Sequence, residues 1–110
     1  MKELSIDTTK LNWDEAMEYP KGTMEKLLTK GSDGHLKATL LKIPAGWTMH
    51  SHAHVVTELH YVLEGEYESG GSKYPEGTFR VIPAHTEHGP FSSEKGATIL
   101  VTWCRETESK

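Results

Sequence analysis

GWTMHSHAHVVTELHYVLEG, residues 46–65, gathers four of the chain's seven histidines and two glutamates into twenty positions. Two geometries could bring these side chains together. On a helix, His50, His54 and Glu58 stand at i, i+4 and i+8 and share a face. On a strand, His52 and His54 share one. Local composition selects the strand, because Pro44 and Gly46 precede the segment, Val55, Val56 and Thr57 are β-branched, and Tyr61 and Val62 continue the bias. Side chains two apart on a strand are about 7 Å apart, near enough for two imidazoles to converge on one ion at about 2.0–2.1 Å. Glu58 has the same parity, yet in a continuous strand it would lie about 13 Å beyond His54. The chain is therefore expected to bend near residues 55–57 and return Glu58 beside the histidines. A fourth ligand is expected from a separate strand end, His88 in RVIPAHTEHGP (residues 80–90).

Outward from this stretch, the runs TMEKLLTK, HLKATLLKIP, ELHYVLEGEYES, GTFRVIP and ATILVTWC alternate with the turn formers GSDG, PAG, GGSKYPEG and SSEKG. Short apolar runs punctuated in this way predict an all-β sandwich or barrel. WDEAME (residues 13–18) is expected to form one loose helical turn, and residues 63–83 a strand, a glycine-rich loop and a returning strand. Residues 1–22 carry few apolar side chains (Leu4, Ile6, Leu11, Trp13) and end in the turn YPKG. They are expected to lie as an arm over a sheet, their own or a neighbour's, in a homodimer.

With 110 residues the chain reads as a single domain, 1–110, and 35% hydrophobic and 25% charged residues suit a folded domain. The net charge of −4 offers no basic field for nucleic acid. A single cysteine, Cys104, excludes an internal disulfide, and neither a signal-peptide core nor a membrane span is apparent. A cytoplasmic location, with no membrane partner, is the expectation.

The spacing Gly46-x5-His52-x-His54-x3-Glu58-x6-Gly65 resembles the first motif of the cupin superfamily, and Gly77-x5-Pro83 followed by His88 resembles the second. His85 stands where the family usually has glycine, and histidine tolerates positive φ better than most residues. Ser92 stands where asparagine often closes the motif. The flanking segments are similar to the cupin domains of zinc-dependent anti-sigma factors and of acetylacetone-cleaving enzymes. This resemblance implies a double-stranded β-helix, a jelly-roll barrel with a metal inside one mouth, and makes His52, His54, Glu58 and His88 its ligands. His50 and His60 share parity with the neighbouring ligands, so each is a candidate to support the site from behind, although a rim position for His50 and a hydrogen-bonded core position for His60 are favoured. Arg80 could hold an anionic substrate or make a surface ion pair. Trp13, Trp47, Trp103 and Phe79 are expected in the core, Trp47 with the option of lining the pocket, and His35 is expected to be exposed.

Three imidazoles and a carboxylate suit one divalent transition metal: iron, manganese, zinc, nickel or copper. An octahedral ion keeps two positions for a chelating small molecule, which implies an oxygenase acting on a substrate such as a β-dicarbonyl; a tetrahedral zinc has none, which implies a sensor or ligand-binding module. Acetylacetone-cleaving cupins bind iron with three histidines alone, whereas Glu58 is present here. Resemblance to the anti-sigma factors reaches only their cupin part.

Overall fold

The computed structural model describes residues 1–32, 35–53 and 55–104. Among the described residues nine strands follow in order: β1 Asp14–Glu15, β2 Met24–Lys30, β3 Lys37–Ile43, β4 Trp47–Met49, β5 Thr57–Ser69, β6 Ser72–Pro75, β7 Phe79–Ile82, β8 Phe91–Ser93 and β9 Ala97–Cys104. All pairings are antiparallel. The order β1-β2-β3-β9-β5-β7 makes one sheet, and the second half of β5 joins β6, β8 and β4 in another. β5 is thus shared, and the curled sheets form the double-stranded β-helix implied by the two motifs. No described helix is long and apolar enough to cross a membrane.

Each of the five long runs contains a strand. WDEAME does not form a helical turn. Asp14 and Glu15 pair with Glu25 and Met24, because the edge of β2 offers hydrogen-bond partners that an isolated turn would lack. The glycine-rich loop is also more ordered than expected: Gly70 and Gly71, both at positive φ, turn β5 back into β6.

One irregularity decides which side chains of β5 face inward. Val62 pairs with Ile99 but Glu64 pairs with Thr98, so β5 carries one residue more than β9 across this step. Before this bulge the even positions Glu58, His60 and Val62 are buried; after it the odd positions Tyr67 and Ser69 are. The core behind them comprises Leu41, Ile43, Trp47, Val62, Phe91, Ile99 and Val101. Full burial of an aliphatic side chain such as Val62 contributes about 1.5–3 kcal/mol.

Phe79 is not in this core. It is 61% exposed, because β7 pairs with β5 in the register Arg80 to His60 and Ile82 to Glu58, which turns Arg80 and Ile82 inward and Phe79 and Val81 outward. Trp13 and Trp103 are half-buried, with Lys26 over the ring of Trp13 at 4.8 Å and Lys37 over that of Trp103 at 4.7 Å.

Gly65 makes the bulge possible. Its φ is +75°, and a β-carbon there would collide with the Gly96 carbonyl oxygen and lie 2.8 Å from Ala97 Cα. Both neighbours are backbone of the β9 approach and cannot rotate away. Gly65→Ala is expected to destabilise the fold by about 2–4 kcal/mol, the sum of positive-φ strain and overpacking, as read from chemical denaturation; a midpoint equal to wild type would contradict this account of the bulge.

Candidate metal centre

β5 begins at Thr57, directly after the expected bend, and its first inward residue is Glu58, 4% exposed. His52 does not lie in a continuous strand. It sits between β4 and β5 in a single antiparallel bridge with His88, closed by His52 N–H to His88 O at 3.0 Å and His88 N–H to His52 O at 2.9 Å. This bridge brings the two motifs together at backbone level, and His52 and His88 stand ring to ring with centroids 4.5 Å apart. Phe91 braces both, at 5.5 Å from His52 and 5.1 Å from His88.

Ligand atoms of His52, Glu58 and His88 all lie within 4.8 Å of one another, and Glu58 Oε2 is 3.6 Å from His88 Nε2. An ion bound at about 2.0–2.1 Å holds neighbouring ligand atoms about 3–3.4 Å apart, so the three side chains reach a common ion by moving inward by about an ångström. The donor set also fits: two imidazoles and a carboxylate, with Glu58 and His88 buried, are a pairing that a cation compensates. His54, the fourth expected ligand, lies outside the described residues.

Around the cluster is an inner cavity of about 30 Å³, lined by Tyr19, Trp47, His60, Tyr67 and Phe91 among others. That is the volume of about one water molecule, enough for an ion and too small for an organic molecule. Outside it a cleft of about 1400 Å³ opens to solvent between Lys37, His50, Val56, Phe91 and Trp103. Tyr19, Met49, His52 and Phe91 line both spaces and form the neck between them. Burial, with Glu58 nearby, pushes the Tyr19 phenol well up, so it faces the site as a neutral hydroxyl.

The remaining sequence candidates divide. His60 is buried, with Nδ1 2.7 Å from the Tyr67 hydroxyl and Nε2 2.9 Å from Glu58 Oε1. His50 is exposed on the cleft rim. Trp47 lines the inner cavity and donates its indole N–H to Thr23 Oγ1 at 2.8 Å. Arg80 faces inward, donating to the Tyr67 hydroxyl at 3.0 Å and stacking 3.9 Å from the Tyr74 ring centre. His35 is half-buried rather than exposed, lining the cleft wall with Leu36 and Lys37. His85 is exposed in its turn at φ 62°. Sequence reasoning missed Tyr19, Tyr67 and Phe91. Phe91 lies inside the second motif, three residues after His88 and just before Ser92, and could have been included, whereas Tyr67 was hidden by the bulge.

The sequence matches the ChrR cupin-like domain family over residues 1–104. The chain belongs to that family. No curated protein sequence matches it. Among solved structures, this cupin is similar to the anti-sigma factor ChrR of Rhodobacter sphaeroides, crystallised with SigE, at 22% identity and a TM-score of 0.70, covering 86% of this chain and 50% of that one. It spans about half the length of that relative. A candidate acetylacetone dioxygenase from Methylibium petroleiphilum has a TM-score of 0.80 at 17% identity, over 94% of this chain and 77% of that one. The polyketide cyclase RemF of Streptomyces resistomycificus has 0.75 at 22%, over 98% and 82%. At these identities the likeness shows the fold.

Replacing His52, Glu58 or His88 singly by alanine is expected to lower bound metal well below one ion per chain, whereas His35→Ala leaves it unchanged. Elemental analysis after dialysis checks this, and full occupancy in His88→Ala would remove the second motif from the site.

Proposed function

We propose that this cupin is a metal-dependent oxygenase acting on a small chelating organic molecule such as a β-dicarbonyl, with His52, His54, Glu58 and His88 holding one divalent ion. The observation that supports this reading best is the pairing of an ion-sized cavity with a wide cleft that meets it at His52. An ion held by these residues has one side open to a small molecule entering from solvent. Iron or manganese there supplies Lewis acidity toward an enolate and access to dioxygen. The protein's part is orientation and exclusion of water, for which Met49, Phe91 and the half-buried Trp103 offer an apolar wall and Tyr19 a neutral hydroxyl.

A second reading, a zinc-binding sensor or ligand-binding module, is favoured by the family match itself and by the likeness to the anti-sigma structure. Four protein ligands would complete a tetrahedral zinc shell and leave the cleft to a ligand that is not turned over. Iron(II)-loaded protein mixed anaerobically with a panel of β-dicarbonyls and hydroxyketones separates the two. The oxygenase reading expects a new visible absorbance and then oxygen uptake when air is admitted. Protein that purifies with zinc alone, and whose iron form gives neither signal, overturns it in favour of the module.

We also propose a homodimer formed through the outer face of β5 and β7. Tyr61, Leu63, Phe79 and Val81 are 40–61% exposed there, and among the described residues β7 pairs only with β5, leaving its other edge open. An apolar edge strand of this kind is a template for association. Phe79→Glu is expected to shift the protein to monomer in light scattering, and a wild-type protein that is monomeric at all concentrations would contradict the dimer.

A further inference from the structure

We infer that His60, Tyr67 and Arg80 form a hydrogen-bond chain that positions Glu58, holding Oε1 so that Oε2 is presented to the metal. The inference rests on the reading of Glu58 as a ligand and adds three positioning residues behind it.

Donor chemistry fixes the two ends of the chain. A guanidinium has donors only, so the 3.0 Å contact from Arg80 Nη1 is accepted by the Tyr67 oxygen. An ionised carboxylate has acceptors only, so the 2.9 Å contact at Glu58 Oε1 requires the hydrogen on His60 Nε2. The third contact joins His60 Nδ1 to the Tyr67 hydroxyl at 2.7 Å. Burial raises the Tyr67 phenol against the opposing effect of Arg80, so it remains a hydroxyl. The three contacts run without a break from Arg80 to Glu58.

The anchor is rigid. His60 and Tyr67 are 6% and 1% exposed, and the guanidinium lies on the ring of Tyr74. Arg80 stands opposite His60 in the β5–β7 register, and Tyr67 reaches the same point from beyond the bulge. Oε1 is committed to His60, while Oε2 lies on the side of His88. Glu58 is thereby a one-oxygen ligand that resists swinging away as substrate enters.

Cobalt(II) binding tests this, with affinity measured by chelator competition, the visible spectrum of bound cobalt, and the melting temperature of each metal-free variant. His60→Leu is expected to weaken cobalt binding 10–100-fold and to shift the visible bands. His60→Gln, whose amide still donates to Oε1, is expected to recover most of both. Tyr67→Phe removes one oxygen from a packed ring and serves if His60→Leu does not fold; it and Arg80→Met are expected to weaken binding several-fold with the same spectral trend. Wild-type affinity and spectrum in His60→Leu and Tyr67→Phe, with binding lost in Glu58→Ala, would overturn the chain while sparing the ligand set. Wild-type affinity in Glu58→Ala would overturn both.

Discussion

A carboxylate buried inside an apolar barrel is the constraint around which this molecule is arranged. Glu58 is 4% exposed, and removing a charge from water costs several kcal/mol unless it is met by hydrogen bonds or an opposite charge. On one side His60 supplies a hydrogen bond to Oε1, backed by Tyr67 and Arg80. On the other, His52 and His88 gather within ligand distance. The fold serves both sides: the register of β5 against β7 places Arg80 opposite His60, and the His52–His88 bridge ties the loop before β5 to the loop before β8.

Much of this was legible in the sequence because it depends on local rules. Short apolar runs between turn formers gave β2, β3, β5, β7 and β9, and the distance a strand covers forced the bend before Glu58. What was not legible depends on pairing. A one-residue bulge at Val62 to Glu64 reverses the parity of β5, so alternation counted from His60 puts Tyr67 on the wrong face. Phe79 reads as core by hydropathy, but its register with β5 gives the inward place to Arg80. β4, β6 and β8, of three or four residues, lie outside those runs: β6 and β8 form on the edge of β5, and β4 pairs with β8.

The same barrel accommodates a domain of an anti-sigma factor, a candidate dioxygenase and a polyketide cyclase among the solved structures it resembles. Fold therefore does not choose the chemistry, and the choice rests on particular side chains. Here they are a glutamate fixed on one oxygen, a neck of Tyr19, Met49, His52 and Phe91, and a cleft far larger than the ion-sized space beneath it. A site that only stored an ion would have no use for the cleft.

The most direct measurement is anomalous diffraction from crystals grown with a divalent metal. The account predicts one peak between the two sheets, within about 2.0–2.2 Å of a nitrogen of His52, a nitrogen of His88 and a single oxygen of Glu58, with the second oxygen still on His60. A peak elsewhere, or an ion bound by both oxygens of Glu58 with His60 displaced, would contradict it.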